Sequence, residues 1–205
     1  MPNTTQFTPA SKLREQPWKN GAGSTRDVVT YPDDAERDAV LWRAGILELT
    51  ADGTLPTWDG MDRILMLIGG GPLTLIREDT AAQTTYEPGA RLYWSAETVY
   101  RAELHGHSAT LFTLLLRQKQ AHGCVDMRRG SQQLPLRPGH TVLHCIQGQF
   151  EAQLPPRLGG AHTLKAGDTL HIVLDYIPAY RLNLTSQAAD SRLVDTRTNL
   201  YPNAG

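Results

Sequence analysis

Arg63-Ile64-Leu65-Met66-Leu67-Ile68-Gly69-Gly70-Gly71-Pro72 is an apolar run of strand length stopped by a glycine turn, and the chain carries it twice. Seventy-eight residues on, Thr141-Val142-Leu143-His144-Cys145-Ile146-Gln147-Gly148 has the same plan. Leu65 falls on Leu143, Ile68 on Ile146 and Gly70 on Gly148. The register continues with Gly89 on Gly167, Leu92 on Leu170 and Leu104 on Leu182. Glycine supplies at a tight turn the positive φ that a Cβ opposes. Both copies therefore read as strand, glycine turn, strand, a second turn at Pro88-Gly89 or Ala166-Gly167-Asp168, and strand again.

Outward from this echo the chain keeps the same character. Leu41–Thr50, Leu73–Ile76, Arg91–Trp94, Thr110–Leu116, Thr169–Leu174 and Tyr180–Leu184 are short apolar runs, most bounded by Gly, Pro, Asp or Asn. Such lengths between turn signals favour strands. The leucine-rich run Leu111–Arg117 is read as a buried strand, Asp33–Ala39 as the one candidate helix, and Ser186–Gly205 as a polar, loosely packed tail. Eighteen Gly and 13 Pro in 205 residues are the turns of an all-β protein rather than a sign of disorder. The expected architecture is a double cupin of two antiparallel β-barrel or jelly-roll halves, residues 1–117 and 118–205, with Gln118–Gly139 as the connection.

Composition narrows the function classes. Twenty Lys and Arg against 21 Asp and Glu give a net charge of −1, which speaks against nucleic-acid binding. No run approaches the length of a membrane span, and Met1–Ala10 shows no signal-peptide pattern. Two cysteines, Cys124 and Cys145, are too few for a disulfide framework and fit a reduced, cytoplasmic setting.

No metal or other cofactor is expected. His105-Gly106-His107 is the sole His-x-His pair, no Glu follows it closely, and it reads as a polar loop. His144 and Cys145 are adjacent in an apolar strand, so their side chains diverge, and the thiol reads as buried. Lys19-Asn20-Gly21-Ala22-Gly23-Ser24-Thr25-Arg26 has the glycines of a phosphate loop but not its Gly-Lys-Ser/Thr ending. What it does have is a dense set of donors suited to a carboxylate, which Arg grips bidentately. Arg63 and Glu48 are charges set within apolar strands, facing either solvent or a polar pocket.

Pro17-Trp18-Lys19-Asn20-Gly21-Ala22-Gly23-Ser24-Thr25-Arg26 closely resembles the Pro-Trp-Lys-Asn-Gly-Gly-Gly-Thr-Thr-Arg signature of the HutD/Ves family. Trp42-Arg43 with Ile46 and Glu48, then Ala51-Asp52-Gly53, resembles its second block, and Gly60-Met61-Asp62-Arg63 its Gly-Ile-Asp-Arg. The resemblance implies a bicupin lacking the usual metal motif. It also implies a link to histidine utilisation or stress, through binding a metabolite such as urocanate or formylglutamate. Two elements depart from the family: Tyr86-Glu87-Pro88-Gly89-Ala90 replaces a Phe-Pro-Gly-Asp-like turn, and Ala109–Thr113 lacks the Asp-x-Asn element.

The first expectation is a non-enzymatic binder of a small carboxylate, with no catalytic residue. Arg26 and Arg63 would pair with the carboxylate, Lys19 would add charge, and Asn20 would give directional hydrogen bonds. Glu48 would orient a base, and Trp18 or Trp58 would form an apolar wall. A metal-independent isomerase or hydrolase using Glu48 or a histidine as acid/base is the second. A scaffold whose polar motif stabilises the junction between barrels is the third. Edge strands of such barrels often pair, so a homodimer is the assembly they would allow.

Overall fold

The computed structural model describes residues 3–176 and 181–202. The chain divides into two compact units. One is Arg14–His122, and the other joins Gly123–Pro202 to the N-terminal residues through Leu13.

The first unit is a barrel of two antiparallel sheets. The larger has the order β2 (Glu15–Pro17), β3 (Gly23–Tyr31), β4 (Trp42–Leu49), β11 (Ala109–Arg117), β6 (Met61–Gly70) and β9 (Arg91–Trp94). The smaller is β5 (Gly53–Thr54), β10 (Tyr100–Glu103), β7 (Leu73–Arg77) and β8 (Gln83–Tyr86). Side chains alternate across a strand, so one face of the larger sheet carries Leu47, Leu49, Leu65, Leu67, Leu92 and Leu111. These meet Leu73, Leu75 and Ala102 of the smaller sheet in one buried cluster.

The second unit repeats this plan. Its larger sheet is β1 (Thr4–Thr8), β17 (Thr169–Leu174), β14 (Gly139–Gln147), β19 (Arg192–Leu200) and β12 (Ala121–Arg129). Its smaller sheet is β13 (Gln132–Pro135), β18 (Arg181–Ser186), β15 (Gln149–Gln153) and β16 (Ala161–Lys165). Phe150, Leu143, Leu164, Leu170, Leu182 and Leu193 are among its buried core.

The 78-residue echo is a structural duplication. Gly89 N–H donates to Leu67 C=O at 2.7 Å and Leu67 N–H to Ala90 C=O at 3.0 Å. Their counterparts, Gly167 to Cys145 and Cys145 to Asp168, measure 2.7 and 3.0 Å. The ladder from β11 skips Ile68, and the ladder from β19 skips Ile146, so even the bulge recurs. Gly70 and Gly148 both have positive φ, +85° and +73°. A Cβ there would lie 2.0 Å from Ser108 O and 2.3 Å from Ser191 Oγ respectively.

Three expectations change. Asp33–Ala39 holds only a 3₁₀ turn, Arg37–Ala39, because it has no apolar face to bury. The tail is not loose: β19 sits between β14 and β12, with Leu193, Val194, Asp195, Thr196 and Thr198 buried. Its small β-branched threonines serve as interior residues, which a count of polar residues misreads. Residues 203–205 of that tail, and Tyr180 of the Tyr180–Leu184 run, lie outside the described residues. Finally, Thr4–Thr8 pairs with β17, so the N-terminal strand belongs to the C-terminal unit. Among the described residues no helix is long and apolar enough to cross a membrane.

Candidate functional site

The face of β4, β11 and β6 that carries the leucine core changes character toward one end. Leu115 is in register with Arg43 on one side and Arg63 on the other, so Arg43, Leu115 and Arg63 form one row across three strands. The next row inward holds Gly45, Thr113 and Leu65. A cleft opens here, lined by Thr25, Arg43, Gly45, Leu47, Pro56, Trp58, Arg63, Thr113 and Leu115. It spans about 360 Å³ out to its solvent-open rim.

Two guanidinium groups meet the cleft, and they differ in how they are compensated. Arg43, 8% exposed, is paired with Asp27 of β3. Arg63 is 4% exposed, and its Nη2 is buried without a hydrogen-bond partner. Among the described residues no carboxylate lies within ion-pair reach of Arg63; its neighbour is the Trp94 ring, 5.8 Å from Cζ. Burial pushes the Arg43 guanidinium down to about 10. Burial first, and then the charge of Arg37, pushes Arg63 down to about 10 as well. Both stay charged at neutral pH, so the cleft holds more positive charge than its own acids balance.

Trp58 forms the outer wall. The Cζ atoms of Arg37 and Arg43 both lie over its indole, 4.6 and 4.7 Å from the ring centroid, an arrangement favoured by the negative face of the π-system. Arg37 also donates to Thr57 C=O at 2.6 Å, and Arg117 to Asp59 C=O at 2.9 Å, which fastens the loop.

The seven residues singled out from sequence divide. Arg63 and Trp58 come together in the cleft. Arg26 and Glu48 are on the alternate positions of β3 and β4 and pair with each other, about a third exposed. Lys19 is exposed. Asn20 organises its own turn: Oδ1 accepts from Ala22 N–H at 3.1 Å and Nδ2 donates to Thr54 C=O at 3.0 Å. Trp18 packs on the leucine core and donates to Thr25 Oγ1 at 2.7 Å, so it reaches the cleft only through Thr25. Asp27, Arg43 and Thr113 lie outside the residues the sequence pointed to, and Thr25 comes from its donor-rich segment. Arg43 carried the same signal as Arg63, a charge within an apolar strand.

Elsewhere, His105-Gly106-His107 is the turn between β10 and β11, with His105 bonded to Thr74 Oγ1 at 2.7 Å. Cys145 is in the second core, its thiol pushed up to about 11 by burial and then by Asp168, while His144 bonds Thr169 Oγ1 at 2.9 Å. Among the described residues no three His, Cys, Asp or Glu gather as a metal group.

Comparison with known proteins joins this geometry to a family. A family model described as HutD matches residues 10–191. A conserved protein of unknown function from Pseudomonas aeruginosa superposes with a TM-score of 0.83 at 20% identity, covering 95% of this chain and 98% of that one. The HutD structure from Pseudomonas fluorescens, described as a formate condition, gives 0.79 at 17%, covering 96% and 99%. A cupin 2 conserved barrel domain protein from Leptotrichia buccalis gives 0.57 at 10%, covering 95% and 96%. The expected all-β, double-cupin fold is thereby established.

Proposed function

The chain belongs to the HutD family, and from that premise we propose that it is a non-enzymatic binder of a small carboxylate metabolite, gripped by Arg63 at the mouth of the first barrel. The observation that carries this reading is the Arg63 guanidinium, buried beside a cleft with Nη2 unpartnered. An isolated buried charge is costly, and a carboxylate accepting from that nitrogen offsets the cost. Arg43 adds a second cation, Thr25 and Thr113 add hydroxyls, and Trp58, Leu47 and Leu115 supply the apolar walls. The lining side chains include no carboxyl, imidazole or thiol, and Glu48 is engaged by Arg26, which favours binding over acid–base catalysis.

The family name supports a link to histidine utilisation, in which urocanate or formylglutamate would be the acid sensed. On this reading the protein is cytoplasmic, in keeping with its two free cysteines, and its partner is a metabolite rather than nucleic acid or a membrane. A homodimer through a sheet edge is the assembly the reading allows. Calorimetric titration with formate, acetate, urocanate and formylglutamate tests it, on the wild type and on Arg63→Gln. The expected result is binding below millimolar concentration for at least one acid, lost in the variant. No binding, or equal binding by the variant, overturns it.

A further inference from the structure

The duplication allows the mouth of the second barrel to be read position by position against the first. Leu65 pairs with Thr113, and its counterpart Leu143 pairs with Asp195. Arg63 pairs with Leu115, and its counterpart Thr141 pairs with Arg197. At that level each strand pair, β6 with β11 and β14 with β19, has a single arginine, contributed by opposite strands of the pair. One level inward, where the first barrel has the small Thr113, the second has a carboxylate.

That carboxylate is held as a bound anion would be. Asp195 is 1% exposed. Its Oδ2 accepts from Arg128 Nε at 3.1 Å, from Arg128 Nη2 at 2.8 Å and from Arg197 Nη2 at 3.1 Å. Arg128 comes from β12, which flanks β19 as β4 flanks β11. It also reaches Asp126 at 3.3 Å. Asp195 Oδ1 is buried with no hydrogen-bond partner. A buried carboxylate with one oxygen unsatisfied is a poor choice for stability alone.

We propose that the mouth of the second barrel is a self-occupied anion site, in which the Asp195 side chain stands where a small carboxylate would otherwise bind between Arg128 and Arg197. The counterpart status of the two mouths rests on the reading of the first as an anion site; the grip on Asp195 does not. Two consequences follow. The wild-type chain binds one carboxylate, at the first mouth only. Deleting the Asp195 carboxylate opens a second site fitted to the atoms removed, formate for Asp195→Ala and acetate for Asp195→Gly.

The test is thermal unfolding of Asp195→Ala and Asp195→Gly at constant ionic strength, with sodium formate or acetate exchanged for sodium chloride. All proteins carry Arg63→Gln, so the first mouth contributes nothing. For a formate dissociation constant of about 10 mM, 100 mM formate raises the Tm of Asp195→Ala by about 3–6 °C beyond any rise in the Asp195 parent. Asp195→Gly responds more to acetate than to formate. Equal responses of variants and parent overturn the proposal. If a variant does not fold in chloride, the readout is the folded yield on dilution from urea into formate or acetate against chloride, and equal yields overturn it. The two readings fail separately: Arg63-dependent binding without rescue leaves only the first, and rescue without Arg63-dependent binding leaves only the second.

Discussion

Replacing Arg63 by Met should make the ligand-free protein more stable while abolishing its response to carboxylates. A guanidinium pushed down to about 10 carries about 3 kcal/mol of cost in its charged form, most of it desolvation and the rest repulsion by Arg37. Because burial penalises the charged form, the cost is present at every pH below about 10 and is fully felt at pH 7. Met keeps an apolar stem and places a thioether near the Trp94 ring, where sulfur–aromatic contact is favourable. Replacing uncompensated buried charge by an apolar side chain of similar length should recover about 1–3 kcal/mol. For a chain of this size that raises Tm by about 2–12 °C. Urea and thermal unfolding at pH 7, in a buffer free of carboxylates, give the first number. Repeating the scan in formate gives the second, a rise for the wild type and none for Arg63→Met. A variant less stable than wild type without carboxylate refutes the reasoning, because Arg63 would then be stabilising the fold rather than awaiting an anion.

His171 stacks on His140 with ring centroids 5.3 Å apart and a 3.1 Å contact from Nε2 to His140 Nδ1, and burial pushes it down to about 4. The unfolded chain takes up this proton first, so stability falls as pH drops from 6.5 toward 4, by about 2 kcal/mol at pH 5. Urea midpoints across that range should fall less steeply for His171→Gln, and equal slopes would discount the histidine. Asp27→Asn removes the counter-ion of Arg43 and should cost about 1–3 kcal/mol. The same change should tighten formate binding severalfold by freeing a second cation, and calorimetry showing weaker binding would contradict this. Gly148→Ala meets Ser191 Oγ at 2.3 Å with φ at +73°, whereas Gly89→Ala has φ of +98° but open space. Chemical denaturation should show a loss of about 2–3 kcal/mol at 148 and about 1 at 89.

Most of the fold was legible because turns and strands leave separate marks. The glycines at 70, 89, 148 and 167 sit at turns with positive φ, and the apolar residues between them supply the core. Leu111–Arg117 lacks a strand's strict alternation because β11 is buried on both faces, which gives a near-continuous apolar stretch. What composition misjudged was β19. Its Arg192-Leu193-Val194-Asp195-Thr196-Arg197-Thr198 looks like surface, yet Asp195 is buried because two arginines reach over it. Sequence shows the carboxylate; only pairing shows the cations that allow it inside.

Which side chains line the cleft was only partly legible in the sequence, and the reason is direction. The Pro17–Arg26 segment was read by counting donors, as though all of them converged. Strand alternation and hydrogen bonding instead divide them. Asn20 closes a turn, Arg26 points to the face that carries Glu48, and only Thr25 and the following Asp27 turn toward the cleft. The segment thus works as a corner that delivers one hydroxyl and one counter-ion to a mouth whose cations come from elsewhere. Those cations, Arg43 and Arg63, are 20 residues apart on strands that do not touch, and they reach one level only because Leu115 of β11 lies opposite both. No local spacing encodes that row. It exists only in the register of three strands, which brings two arginines from separate apolar strands to one cleft.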